Sequence, residues 1–168
     1  LDENGKRWSK KSKIPGRPGQ MIWFVDSQDI RVKDVEIADS PYWSLFILNC
    51  DRVWIDGCYV HTRRKDYHTF NGDGIDIDRC RYVTISNCRI DTSDDCITLR
   101  ASAAHKLASP QDCEWVTVTN CNLSSSCNAI RLGNFLSMLV GSINLKGSHR
   151  TIQCGLLACV LRIVQKYL

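Results

Sequence analysis

The chain has 168 residues and a formal net charge of +4, and its length predicts a single domain. No apolar run is long enough to span a bilayer, and the mild positive charge is accompanied by no nucleic-acid recognition motif. We therefore expect a monomer with neither a membrane nor a nucleic acid as partner. The sequence begins at Leu1 rather than at a methionine and shows no signal peptide, which is typical of a piece of a longer protein.

The first 20 residues carry six lysines and arginines among glycines and prolines. This composition predicts a loop that leads into the first strand, MIWFV, at residues 21–25.

Four segments that align column by column follow this loop. They start at Ser27, Cys50, Cys80 and Cys113, and in each one apolar residues alternate and then shift phase. The shift falls on a turn-forming residue each time: Asp34, Gly57, Asn87 and Asn120. Each unit thus predicts a strand, a tight bend and a second strand, and a third apolar segment follows. The repeat predicts an all-β fold, a right-handed parallel β-helix over residues 20–133, whereas a β-sandwich would not align its bends in columns.

Six of the ten cysteines occupy two columns of the repeat. Their spacing is not that of a zinc site, which needs close Cys or His pairs. We expect them to be packed inside the solenoid as small apolar side chains, and we expect no bound metal and no cofactor.

After Gly133 the repeat stops. Residues 134–168, the C-terminal tail, contain no bend asparagine in register, so we divide the chain into a truncated β-helix (1–133) and a non-repeat tail. GLLACVLRIVQKYL at its end has an apolar spacing close to that of a helix, which predicts a helical cap. The alternative is irregular, non-native sequence.

Acidic residues mark two neighbouring repeats. Asp73 precedes one apolar segment, and Asp94 and Asp95 precede the next, 21 residues later. Acids one repeat apart in a stacked β-structure lie close together, as glycoside hydrolysis or calcium binding requires. The alternative is that aspartates cap turns, which is the better interpretation of Asp76 and Asp78.

Aligned apolar residues of the third segments (Ile75, Ile97 and Ile130) place Asp73, Asp95 and Asn128 in one ladder, with Asp94 beside it. Strands about 4.8 Å apart crowd these carboxyls, so at least one pKa should be raised and that group should stay protonated.

At these residues the chain resembles glycoside hydrolase family 28, the polygalacturonase-like pectinases. The similarity rests on Asn71-Gly72-Asp73-Gly74, on Asp94-Asp95-Cys96, on DSPYW at 39–43, on NGKRW at 4–8 and on RPGQMIWF from Arg17. It implies inverting hydrolysis of galacturonosyl linkages in pectin, an acidic plant cell-wall polysaccharide, by an extracellular or periplasmic enzyme. It also implies that Asp94 is the general acid and that Asp73 and Asp95 activate the water. Inversion calls for carboxyls roughly 6.5 to 9.5 Å apart.

Two family motifs are not matched. Cys127-Asn128-Ala129 stands where the family has Gly-His-Gly, and no residue aligns with its basic Arg-x-Lys motif. As substrate-binding residues we predict Asn71, Asn128, Arg131, Arg100 and His68, with Arg131 in the same column as Thr98 and Asp76. Charged side chains in loops are more often simply solvated.

Two other functions stay open at this point. The first is a calcium-dependent enzyme that resembles pectate lyases, and the second is a carbohydrate-binding β-helix with impaired catalysis. Release of reducing sugar with and without a chelator separates these from a hydrolase.

Overall fold

The computed structural model describes residues 17–62, 69–101, 112–133, 143–146, 152–154 and 161–163. Among them every regular element is a strand, and no helix long and apolar enough to cross a membrane occurs in these ranges.

The strands, numbered in chain order, form three parallel sheets that run along the solenoid. The first sheet contains β1 (Ile22–Val25), β4 (Leu45–Leu48), β7 (Ile75–Asp78), β10 (Ile97–Arg100), β13 (Ile130–Leu132) and β15 (Ile152–Cys154). The second contains β2 (Gln28–Lys33), β5 (Asp51–Asp56), β8 (Arg81–Ser86), β11 (Glu114–Thr119), β14 (Ile143–Lys146) and β16 (Leu161–Ile163). The third contains β3 (Glu36–Ala38), β6 (Tyr59–His61), β9 (Arg89–Thr92) and β12 (Asn122–Ser125).

The register of the second sheet reproduces the predicted columns. Val53 pairs with Val83 and Val83 with Val116, and each of these side chains is at most 1% exposed. The alternating residues between them point outward, because successive side chains of a strand face opposite sides. The prediction of a right-handed parallel β-helix is confirmed.

The bend between the first two strands of each unit has the predicted chemistry. Asp34, Asn87 and Asn120 have φ angles of 52°, 55° and 51°, and Gly57 has a φ of 66°. This left-handed region is accessible to Gly and is tolerated by Asn and Asp, which explains the column. Asn120 also donates from Nδ2 to Asn87 Oδ1 at 2.7 Å, so the bends are linked from rung to rung.

The six repeat cysteines are buried free thiols. Cys80 Sγ donates to the carbonyl of Ile47 on the preceding rung at 3.4 Å. The cysteines of the two columns are therefore packed in the interior as small side chains, as predicted. The Cys80 thiol also provides a hydrogen bond to a backbone carbonyl.

The prediction that the C-terminal tail leaves the repeat is wrong for its three described segments. β14 pairs with β11 in register (Ile143 with Val116), β15 pairs with β13, and β16 pairs with β14. Leu161–Ile163 lies within the segment predicted to be helical and is a strand. The physical reason is the open edge of β11 and β13, whose free N–H and C=O groups can template even a three- or four-residue strand.

Candidate active site

Two acids and an amide form a ladder just before three neighbouring strands of the first sheet, β7, β10 and β13. Ile75 pairs with Ile97 and Ile97 with Ile130, so the residues two positions earlier, Asp73, Asp95 and Asn128, follow one another on successive rungs. The predicted ladder is thus present. The backbone continues the pairing here, because Gly74 N donates to Asp95 O at 2.9 Å.

Glycine at position 74 is required by close packing at this point. A Cβ at Gly74 would lie 2.5 Å from the carbonyl oxygen of Cys96 and 2.7 Å from Ile90 Cγ2. A backbone atom cannot move away as a flexible side chain can. Close packing therefore explains why glycine follows Asp73.

Asp94 is the accessible acid of the group. It lies in the turn between β9 and β10, where its carbonyl accepts hydrogen bonds from Thr92 Oγ1 (2.7 Å) and from Ser125 Oγ. Its Oδ1 accepts the N–H of Asp95 at 3.1 Å. These bonds fix the turn while the Asp94 side chain stays partly exposed.

Asp95, in contrast, is 1% exposed and surrounded by donors. Its Oδ1 accepts Asn128 N at 3.2 Å and Asn128 Nδ2 at 2.6 Å, and its Oδ2 accepts Arg131 Nη1 at 3.0 Å. Three N–H donors, one of them from a guanidinium, suit a charged carboxylate. Both Asn128 and Arg131 thereby position Asp95.

Asp73 is 7% exposed, and its Oδ1 has no hydrogen-bond donor in the described part of the chain. Burial first, and then the charges of Asp76, Asp94 and Asp95, raise the pKa of Asp73 to about 9. Crowded carboxyls therefore do keep a proton, as predicted. The group that holds it in the free site is Asp73, whereas the family resemblance gives the acid role to Asp94.

The interpretation of Asp76 and Asp78 as turn caps is wrong. Both lie inside β7, and both are buried. Asp76 forms an ion pair with Arg100, a residue that is itself 5% exposed. Burial raises the pKa of Asp76 to about 7, and the charge of Arg100 opposes this rise. Asp78 lies 3.5 Å from Arg79 Nε.

An aromatic pair borders the carboxyls on the preceding rung. Tyr42 and Trp43 stack at 5.1 Å, and the guanidinium of Arg100 lies 4.2 Å from the centre of the Trp43 ring. Burial and the charge of Asp73 raise the pKa of Tyr42. Arg17 braces this segment through Pro41 O at 2.7 Å. Tyr42 and Trp43 belong to the DSPYW segment. The position of these aromatic residues one rung before Asp73 is the sequence feature from which their place beside the acids could have been predicted.

The other predicted substrate-binding residues are placed as follows. Asn71 has a φ of 53° in the turn before Asp73 and is partly exposed. Arg131 is in the column of Thr98 and Asp76, as predicted, and its side chain is 36% exposed. Arg100 is buried against Asp76, and His68 lies outside the described residues. That these four bind substrate stays a prediction.

Cys127 brings a thiol to the acids. Its side chain is exposed, and its Sγ accepts Asn128 Nδ2 at 3.3 Å. Partial desolvation and the neighbouring charges of Asp95 and Asp94 raise the pKa of the thiol to about 12. One oxygen of each carboxylate and the sulfur all lie within 4.8 Å of one another. These oxygens of Asp94 and Asp95 are close because the two residues are adjacent in one turn. The separation of roughly 6.5 to 9.5 Å expected between the carboxyls of an inverting pair stays a prediction.

A cluster of aspartates on neighbouring rungs of a parallel β-helix supplies paired carboxyls of the kind that glycoside hydrolysis uses. The family model described as "Glycosyl hydrolases family 28" matches residues 1–111, and the chain belongs to this family.

Among curated proteins, the chain is 30% identical over 115 residues to a polygalacturonase of Juniperus ashei, a match that covers 62% of this chain and 22% of that protein. It is 27% identical over 113 residues to a probable exopolygalacturonase B of Aspergillus flavus, with coverages of 58% and 25%. It is 24% identical over 104 residues to a probable polygalacturonase of Vitis vinifera, with coverages of 60% and 21%. The matches thus span about a quarter of the length of these relatives. No solved structure matches the chain.

Proposed function

We propose that this chain carries the hydrolytic site of a polygalacturonase-type enzyme, which cleaves galacturonosyl linkages in pectic polysaccharide with inversion. The observation that carries the proposal is the cluster of one accessible acid, Asp94, against two buried acids, Asp73 and Asp95, on adjacent rungs. Hydrolysis of a glycosidic bond needs one protonated and one ionised carboxyl, and different environments supply this division.

The exposure of the three acids supports their roles. Asp94 is the acid that a polymer lying on the first sheet can touch, so it protonates the leaving glycosidic oxygen. Asp95, with its three N–H donors, is suited to stay charged and to orient the attacking water.

Asp73 contributes through the proton that it holds in the free site. If Asp73 and Asp94 share one proton, its transfer to Asp94 leaves Asp73 ionised beside the water. Asp94 then passes this proton to the leaving oxygen, and the attacking water gives its own proton to the Asp73–Asp95 pair. The proton count is balanced at each step.

The substrate and location follow from the relatives. The Juniperus ashei protein is named a polygalacturonase, and we extend its substrate class, an acidic plant cell-wall polymer, to this chain. An enzyme acting on such a polymer works outside the cytoplasm, in the extracellular space or the periplasm. We propose that the following residues position this substrate or the aspartates of the site: Asn71, Asn128, Arg131, Arg100 and His68. We also propose that the active form is a monomer.

One observation favours a second function, a carbohydrate-binding β-helix with impaired catalysis. Asn128 occupies the position where the family carries histidine, and its amide is committed to Asp95 at 2.6 Å. An amide cannot exchange a proton near neutral pH, so any step that needs a titrating group at this position is lost.

A single assay separates the candidates. Reducing ends and ultraviolet absorbance are followed on polygalacturonate, with and without a calcium chelator. A hydrolase releases reducing ends, without unsaturated product, whether or not the chelator is present. A calcium-dependent lyase gives ultraviolet-absorbing products that the chelator abolishes. Binding of the polymer without release of reducing ends supports the impaired β-helix and overturns the proposal.

A further inference from the structure

The thiol of Cys127 has no counterpart in the family motif that it replaces. It is exposed, it stands one residue before the Asn128 that holds Asp95, and its sulfur and one oxygen each of Asp94 and Asp95 lie within 4.8 Å of one another. A sulfur and two carboxylates that converge on one point form a mixed soft and hard ligand set, which suits a borderline cation such as Zn²⁺ or Cd²⁺.

We propose that Asp94, Asp95 and Cys127 form a binding site for a borderline-soft divalent cation, and that the bound ion inhibits the enzyme by engaging Asp94. On binding, the S–H bond of Cys127 breaks, a sulfur–metal bond forms, and the proton passes to the solvent. The cation then lies between the sulfur and the two carboxylates.

The ligand atoms need only a small adjustment. They lie within 4.8 Å of one another, whereas two ligands of a tetrahedral zinc ion are about 3.5 Å apart. Cys127 is exposed and Asp94 is partly exposed, so both side chains can rotate towards an ion. Asp95 is held in place by Asn128 and Arg131 and provides the fixed point of the site.

Asp95 retains a free coordination position. A carboxylate has about four lone-pair sites, and here Oδ1 accepts two hydrogen bonds and Oδ2 accepts one, from Arg131. One lone pair of Oδ2 remains for a cation.

A second observation independently points to a ligand. Asp73, 7% exposed and next to Asp95 in the ladder, has a buried Oδ1 without a hydrogen-bond donor in the described ranges. A buried carboxyl oxygen without a partner is costly, and an ion above Asp95 would supply a partner for it. The proposed ligands come from two rungs and include only one cysteine. The spacing of cysteines along the sequence therefore could not predict this site.

Binding is tested directly on the 168-residue chain with Cd²⁺ alone, by isothermal titration and by the ultraviolet absorption of a cadmium–thiolate bond. We expect one ion per chain, with the thiolate absorption lost and the affinity at least about tenfold weaker in Cys127→Ala and in Asp94→Asn. Asp51→Asn, which changes an acid that is paired with Arg81 in the second sheet, is the matched control and should bind like the wild type. Thermal unfolding without metal checks that each variant is folded.

The outcomes separate this site from the proposed function. Unchanged Cd²⁺ absorption in Cys127→Ala would place the ion on other cysteines and overturn the proposal, as would binding of Ca²⁺, which prefers six to eight oxygen ligands, as tightly as Cd²⁺. The inhibition arm rests on the proposed hydrolysis: Zn²⁺ should slow release of reducing ends in the wild type and at least about tenfold less in Cys127→Ala. Equal inhibition of both would also overturn it, whereas absence of all activity would leave the binding result intact.

Discussion

Replacement of Asp73 by asparagine should stabilise the protein at neutral pH. The ordinary pKa of an aspartate is 3.8, and burial raises the pKa of Asp73 to about 9 in the folded chain. Between these values the unfolded chain ionises Asp73 while the folded chain does not. The stabilisation that protonated Asp73 provides is therefore complete below pH 3.8 and is lost as the pH rises towards 9.

The size of this effect follows from the width of the pH window. Each pH unit costs about 1.4 kcal/mol, so the wild type loses up to about 4 kcal/mol from this group between pH 4 and pH 7. Asparagine has nearly the same shape and never ionises, so Asp73→Asn avoids the loss. We expect a gain of about 2–4 kcal/mol in the free energy of unfolding at pH 7, since relaxation of the unfolded and folded chains reduces the upper figure.

The assay is urea unfolding of wild type and variant at pH 4 and pH 7. The difference between the two proteins should be small at pH 4 and large at pH 7. Asp76→Asn is the contrasting control: it leaves the buried guanidinium of Arg100 without its partner and should destabilise the chain by about 3–5 kcal/mol at pH 8. An Asp73→Asn variant that is no more stable than the wild type at pH 7, or a gain equal at both pH values, would refute the reasoning.

Two further predictions concern the support of the site. Arg131→Gln removes the guanidinium that holds Asp95 at 3.0 Å, so kcat on polygalacturonate should fall about tenfold or more with little change in KM; a raised KM with unchanged kcat would instead place Arg131 on the substrate. Gly74→Ala should lower the free energy of unfolding by about 2 kcal/mol or more, because the new Cβ meets Cys96 O at 2.5 Å. Gly19→Ala, with nothing within 4 Å of the new Cβ, should be neutral. Equal effects of the two changes in urea unfolding would contradict this packing argument.

Sequence alone predicted the solenoid because its rungs repeat the same chemistry at the same positions. Val53, Val83 and Val116 alternate with outward residues, and each bend has a residue that tolerates a positive φ. The strands of the C-terminal tail escaped prediction because three or four alternating residues, as in Leu161–Ile163, are too few to distinguish a strand from a helix turn.

The sequence predicted how the acids are placed relative to one another, but it did not predict their pKa values or ion pairs. Asp73 and Asp95 follow from register, since they precede aligned apolar residues. The ion pair of Asp76 with Arg100 could not be foreseen from sequence. It runs diagonally between the neighbouring strands β7 and β10, and it depends on burial of both side chains, which the strand sequence alone does not show. Burial also decides that Asp73 holds a proton in the free site, and local sequence does not show burial.

The central claim is that the aspartate cluster hydrolyses galacturonosyl linkages and that Asp94 delivers the proton. The most direct test is the rate of reducing-end release from polygalacturonate by the wild type, by Asp94→Asn and by the distant control Asp51→Asn, with the midpoint of thermal unfolding measured for each. The account predicts a loss of about 10²- to 10⁴-fold for Asp94→Asn at an unchanged midpoint, and near-wild-type rates for the control. Near-full activity of Asp94→Asn would contradict it.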